Sequence, residues 1–396
     1  MAAILSPISY LPSEVVGYIL LRLPVDDLIR CMCVLKRWNA IIRSQKFIKD
    51  HLKCSLENKI DRSIVLKDDQ ADSDFFSLAF YARDSFSNAR RIAQPLTHPG
   101  RDTVIVGNCN GLLCIYNRFH DNDLAVWNPS IHRFRRIPFT PIEIPPSTKG
   151  SYPTYGFGFD ITNDDYKLVR IVEFHNIDRK LVGSEVKLYS LRGNSWKRIQ
   201  SLPCTGISYY SHAVPLNGAL HWLVNHRSHS NEERVLTLDL ATETFKEFPT
   251  PFAEIDCGIG LEVLGSNLCI CVNHFGTQND VWLMKKYGVA DSWTPLYTIK
   301  QEAVDWLLEY CRPLVFSNTG KRVLLQSNSD ITLDKNLFWY DLEKKMVKEL
   351  KIPGLPSLFT AAICVGSLLL FDGDPVARQQ QAKRKFEAGN SRNCLF

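Results

Sequence analysis

Several things are missing from this chain of 396 residues, and each absence removes a class of protein. No run approaches the ~18 consecutive apolar side chains of a membrane span, and Met1 to Ser9 has neither the basic start nor the apolar middle of a secretory signal. No Gly-rich phosphate loop, no paired CxxC motifs and no HExxH occur. Charge of one sign is also lacking: Lys plus Arg number 47 and Asp plus Glu 42, a formal +5 with no basic stripe before Lys383-Arg384-Lys385. A nucleic-acid partner is therefore not expected. The 12 cysteines are scattered and pair into no disulfide or metal framework, so reduced thiols in cytoplasm or nucleus are the expectation. Cys394 stands third from the last residue, where prenylation would need it fourth, and no lipid anchor is expected.

What remains is enough for a real core, with 45% apolar and 11% aromatic residues. Its distribution is uneven. From Tyr10 to Leu52 apolar residues recur at helical spacing, whereas almost everything downstream reads as short strands. Ser13 suits an N-cap before Val15, Val16, Ile19, Leu20 and Leu23. Pro24 ends that helix and can open the next, with Asp26 and Asp27 in its first turn where carboxylates favour the dipole. Trp38, Ile41 and Ile42 suit a third helix, and Phe47, Ile48 and Leu52 a fourth. So small a module buries too little surface to be comfortable alone. Cys31 and Cys33 have no matching pair for zinc and read as small buried helix residues, so a protein partner is the remaining stabiliser.

The head resembles an F-box in order and spacing: Leu11-Pro12-Ser13-Glu14, Ile19-Leu20-Leu21-Arg22-Leu23-Pro24-Val25, Leu28-Ile29-Arg30-Cys31 and Val34-Leu35-Lys36-Arg37-Trp38. That resemblance implies docking onto a Skp1-like adaptor, and through it onto the cullin of an SCF ubiquitin ligase. Leu11, Pro12, Ile19, Leu20, Leu28, Val34 and Trp38 would form the Skp1-facing surface or its immediate support. The chain departs from the family at Leu35, where Ser or Cys is common, so the tightness of docking is to be tested there.

In the β body a turn followed by an apolar strand recurs, as in Asn110-Gly111-Leu112-Leu113-Cys114 and Asn217-Gly218-Ala219-Leu220-His221-Trp222. Counted at residues 111, 165, 218, 266, 320 and 366, the spacings are 54, 53, 48, 54 and 46 residues. A second marker, a strand and tight turn leading to a strand with a bulky start, falls between them, as at Val126-Trp127-Asn128-Pro129 to Phe134. A period near ~50 residues signals a β-propeller. The expected fold is α+β multidomain: a helical module followed by an all-β, propeller-like domain of about six blades, with an irregular β-sandwich as the alternative. The turn-anchored strands read as the inner strands of the blades, and the strands at 64 to 81 would complete a blade begun by the last one. The expected divisions are a tail at 1–9, the helical module at 10–52, linker and first strands at 53–100, the propeller at 101–375 and a disordered basic tail at 376–396.

Cys109-Asn110-Gly111-Leu112-Leu113-Cys114, Trp127-Asn128-Pro129, Tyr155-Gly156-Phe157-Gly158-Phe159-Asp160, Asp164-Asp165-Tyr166-Lys167 and Tyr287-Gly288-Val289 with Ser292-Trp293 together resemble the plant F-box-associated interaction domain. The match runs from about residue 100 to 345. It implies a kelch-like propeller, although the kelch double glycine is absent, in a family that includes S-locus and immune-regulatory F-box proteins.

Residues that could carry chemistry are few. His221 beside Trp222 reads as a satisfied strand residue, Asp164 and Asp165 as a turn, and Cys269 and Cys271 as packing on one strand face. The expectation is a non-catalytic subunit without metal or cofactor, which presents a protein substrate for ubiquitination. Alternatives are a glycan- or peptide-binding propeller outside ubiquitination, or a propeller hydrolase with clustered acids. Substrate contacts are expected on the long connections Pro141 to Pro153, His175 to Gly183 and Asn225 to Glu233.

Overall fold

The computed structural model describes residues 11–70, 74–100, 102–203, 206–207, 212–225, 233–252, 257–304, 310–328 and 335–369. The expected terminal tails, and residues 226–232 of one expected binding loop, lie outside them. The head has four helices, α1 Ser13–Leu20, α2 Val25–Met32, α3 Lys36–Ile42 and α4 Gln45–Asn58. Pro12 and Pro24 precede α1 and α2 in extended conformation, as prolines at a helix start do. Ser13 is therefore not the N-cap: it lies inside α1, and its hydroxyl accepts from the Arg37 guanidinium (3.1 Å from Nε). Ser44 does cap α4, its hydroxyl accepting from the Phe47 N–H at 3.2 Å. The stretch from 53, expected as linker, is the last turns of α4, and the first strand begins at Arg62.

Six antiparallel sheets follow. Blade 1 holds Thr103–Cys109, Leu112–Asn117, His120–Asn128 and Arg133–Arg136; blade 2 is built on Thr154–Asp160, Asp165–His175, Leu181–Ser190 and Ser195–Arg198. Blades 3, 4 and 5 start at Val214, Gly258 and Tyr310. Blade 6 is shared: its first strand, Phe359–Val365, pairs antiparallel with Arg62–Asp68 from the other end of the domain. Each first strand touches the next around the ring, and Phe359–Val365 touches Thr103–Cys109, so the circle closes.

The innermost strands are those first strands, not the turn-anchored apolar ones, which are the second strand of each blade. The axis explains the difference, because strands converge there and need small side chains. A Cβ on Gly156 would come within 2.8 Å of both Ala213 and Trp222 of the neighbouring blade. Second strands instead bury both faces and read as unbroken apolar runs. In Leu112–Asn117, Leu112 and Cys114 pack toward blade 2, while Leu113 and Ile115 pack toward blade 6. Six such clusters fill the six seams between blades.

Antiparallel order sorts the connections by face. Turns between first and second strands, and between third and fourth, emerge on one side; second-to-third turns and blade-to-blade connections emerge on the other. The head sits on the first side, called here the head face; the opposite side is the far face. Gly111, in the Asn110-Gly111 turn with φ of 53° and 80°, marks where they meet. A Cβ there would lie 2.6 Å from Ser367, in the segment that leaves blade 6 for the head.

Candidate functional site

In α1 the apolar residues form two stripes. Val16 and Leu20, four apart, point inward with Val25, Leu28 and Ile42. Val15 and Ile19, also four apart, point out with Tyr18, at 42%, 48% and 62% exposure. Ile29 on α2, and Val34 and Leu35 in the turn after it, are exposed apolar residues of the same module. The Arg22 guanidinium lies 3.6 Å over the Tyr18 ring, holding one edge of the face.

Of the seven residues expected to serve docking, Pro12, Ile19 and Val34 are exposed, Leu11 and Trp38 half-buried, and Leu20 and Leu28 fully inside, where they can only support. Val15, Tyr18 and Ile29 were not anticipated. The available signal was the pair of adjacent apolar doublets, Val15-Val16 and Ile19-Leu20, which make α1 apolar on two sides rather than one. Cys33 is exposed and Cys31 half-buried, so the expectation of two buried cysteines does not hold: the short α2 turns both toward its rim.

The head is built into the propeller. Leu368, just past the last strand, completes its core, and Ile131 from blade 1 packs against it. Lys49 pairs with Asp164 at 2.6 Å, and His51 is bonded to the Leu23 carbonyl at 2.9 Å. Asp61 joins three elements: its carboxylate accepts from the Val25 N–H at the start of α2 (2.8 Å), and its carbonyl accepts from Gly366 N–H (2.7 Å). Burial, aided by Asp26 and Asp27, pushes the Asp61 carboxyl up against the lowering pull of Val25 and His51.

On the far face lie the connections 141–153 and 175–183 expected to bind substrate. The first is anchored from below. Arg170, Glu185 and Lys187, all buried on blade 2, hold its root, Arg170 donating to the Thr140 and Pro141 carbonyls at 2.6 and 3.0 Å. Lys187 donates to Pro141 O and pairs with Glu143, both at 2.9 Å, while Glu185 accepts from the Glu143 N–H at 3.1 Å. Lys187, with Arg198, holds the Glu143 carboxyl below its usual range.

The other chemical candidates resolve into structure. His221 is fully buried, bonded to Val214 O at 3.0 Å and to the Tyr287 hydroxyl at 2.7 Å, and burial pushes it down to about 4. A neutral imidazole tied between blades 3 and 4 is a packing element. Asp164 sits in a turn with φ of 52°, neutralised by Lys49 and Arg192. Cys269 and Cys271 are buried in the seam between blades 4 and 5, where burial pushes the Cys271 thiol far up. Near the axis Glu262 pairs with Arg312 at 3.2 Å; despite burial, Arg312 and His212 keep its carboxyl below the ordinary value. The pair is an acid held by a cation across blades 4 and 5. Among the described residues no group of His, Cys, Asp and Glu is arranged to hold a metal, and no helix is long and apolar enough to cross a membrane.

Comparison with known proteins matches these two parts separately. The F-box domain family matches residues 8–56, and the F-box associated beta propeller domain family matches residues 70–369. The chain is 34% identical over 406 aligned residues to F-box protein CPR1 of Arabidopsis thaliana, covering 96% of this chain and 94% of that protein. It is 32% identical to F-box protein At4g22390 of the same plant, covering 94% of each. It is also 32% identical to the Arabidopsis F-box/kelch-repeat protein At3g23880, over 82% of this chain and 87% of that one.

Proposed function

Since the chain belongs to the F-box proteins that carry an F-box-associated β-propeller, we propose that it is the substrate-recognition adaptor of an SCF ubiquitin ligase. A Skp1-like adaptor docks on the apolar face of the head and brings the cullin with it. The propeller's far face holds a protein substrate, whose lysines are thereby concentrated beside the conjugating enzyme. The chain is a non-catalytic subunit in this reading.

One observation carries it. Val15, Tyr18, Ile19, Ile29, Val34 and Leu35 are exposed on a module whose opposite side is already occupied by the propeller through Leu368 and Ile131. So many exposed apolar side chains on one small module favour an interaction site. Leu11, Pro12 and Trp38 border that face, and Leu20 and Leu28 back it. Every cysteine among the described residues is a free thiol, which supports a reducing cytoplasmic or nuclear setting.

The test is co-expression with a Skp1-like adaptor. Ile19→Asp with Val34→Asp is expected to abolish co-purification while the thermal midpoint stays within a few degrees, because both positions are exposed. Undiminished co-purification by the doubly charged variant would sink the reading.

A further inference from the structure

The far face is not uniform. Where blades 1 and 2 meet, it carries Phe119 at 61%, Ile144 at 54%, Tyr152 at 63% and Ile177 at 94% exposure. Phe119 and Tyr152 come from different connections, yet their rings stand edge to face with centroids 6.3 Å apart. Tyr152 is held beside the blade 2 hairpin, because Ser151 N–H donates to the Glu173 carbonyl at 2.8 Å and Lys149 lies opposite His175. Ile144 is brought to the same place, its Cδ1 3.9 Å from where Gly150 would carry a Cβ.

The support beneath this patch is expensive. A blade face is ordinarily covered by apolar side chains, yet here Arg170, Glu185 and Lys187 are 4%, 0% and 7% exposed. Buried charges cost several kcal/mol each in desolvation unless fully partnered. Their partners are the Thr140 and Pro141 carbonyls and the Glu143 backbone, the root of the connection that carries Ile144 and Tyr152. Fixing that root lowers the ordering cost of any contact made by the crest above it.

Charge is unevenly used in the same sector. Its buried or anchoring carboxylates are already neutralised: Asp123 by Arg136 at 3.0 Å, Glu185 by Arg170 at 2.8 Å and Glu143 by Lys187 and Arg198. Arg118, Lys149, Arg179 and Lys180 are exposed, and no ion pair engages any of them among the described residues. Opposing charge comes from half-buried Asp102, from exposed Asp178 and, two positions after Phe119 in the sequence, from Asp121.

We infer that the sector of the far face between blades 1 and 2 is a recognition surface for a short acidic segment of a partner protein, with Phe119 and Tyr152 as its apolar anchors. The cations left unpaired supply complementarity and steering, and the rings supply desolvated contact. Single-stranded nucleic acid fits less well. The two rings stand edge to face rather than as parallel stacking platforms, and Asp102 and Asp178 put negative charge among the cations. The inference rests on the adaptor reading only for the fate of the bound segment, which would be that of a degradation signal.

The full-length chain, purified with its Skp1-like adaptor, is immobilised and panned against a random dodecapeptide phage library. A fluorescein-labelled peptide of the enriched consensus is then titrated by anisotropy at low and at physiological salt. The consensus is expected to combine Asp or Glu with bulky apolar residues. Phe119→Ala with Tyr152→Ala is expected to weaken binding at least about tenfold. Lys149→Glu with Lys180→Glu should weaken it and flatten its salt dependence. Both double variants should keep the parent's thermal midpoint and adaptor recovery, since all four side chains are exposed. The inference is overturned by the absence of enrichment, by a neutral or basic consensus, or by affinities that the variants leave unchanged. It is equally overturned if labelled oligouridylate binds more tightly than the peptide and loses that binding in the same variants. Should no adaptor co-purify, the adaptor reading fails by itself, and panning on the chain alone still decides this surface.

Discussion

The head and the propeller solve the same problem of burying apolar surface with very different means. The propeller has six seams, each filled from two blades, so every second strand is covered on both sides. The head has one core of eight buried side chains, and one of these, Leu368, comes from the other end of the domain. A closed ring distributes its stability, whereas the head depends on a loan from its neighbour and leaves its outer face bare. That bare face follows from the head's size, since four short helices cannot cover both of their sides.

Three substitutions separate the two designs. The largest effect is expected in the ring. Trp127 is 1% exposed and meets Phe75 edge to face at 5.6 Å across the seam between blades 1 and 6. Trp127→Ala should cost about 3–5 kcal/mol, read as a lower urea midpoint for the whole chain. A loss confined to blade 1 would mean that the ring is not cooperative. Next comes the loan itself: Leu368→Ala should cost about 2–3 kcal/mol. Hydrogen exchange should show that cost as lost protection in α1 and α2, with blades 3 and 4 unchanged. Uniform loss would erase the distinction drawn between the two regions.

The smallest effect is expected at Asp61, where the two regions join. Its carboxyl is raised above the unfolded value, chiefly by burial, so the contribution it makes to stability is fully present in acid. That contribution falls as pH rises through the folded pKa. Asp61→Asn removes the charge and keeps an oxygen for the Val25 N–H. The variant should therefore melt at or slightly above the parent at neutral pH, with the difference closing as pH falls. A difference that widens in acid would contradict this assignment.

The six-fold plan was legible because Asn-Gly turns and apolar second strands repeat, and both follow from the seams. The inner strands were misplaced for an equally physical reason. Near the axis space is short, so Thr154–Asp160 reads Tyr-Gly-Phe-Gly-Phe and looks weaker as a strand than Asp165–His175 beside it. Ser13 looked like a cap until Arg37, 24 residues away, was seen to take its hydroxyl, a contact no local pattern contains. In the head, family spacing groups inward Leu20 and Leu28 with outward Ile19 and Val34, because it does not distinguish the inward from the outward side of α1 or α2. The apolar patch where blades 1 and 2 meet on the far face shows in the sequence only as loops. Phe119 and Tyr152 are 33 positions apart, and only the meeting of blades 1 and 2 brings them together.

Leu368 also sets an order in time. A ribosome makes the head well before the strand Phe359–Val365, and chains form structure as they emerge. The head therefore waits, without its final core residue, until the strand that shuts the ring has been made. A chain interrupted before that point has neither a closed propeller nor a complete head core. One leucine thus ties the completion of the head's core to the completion of the ring.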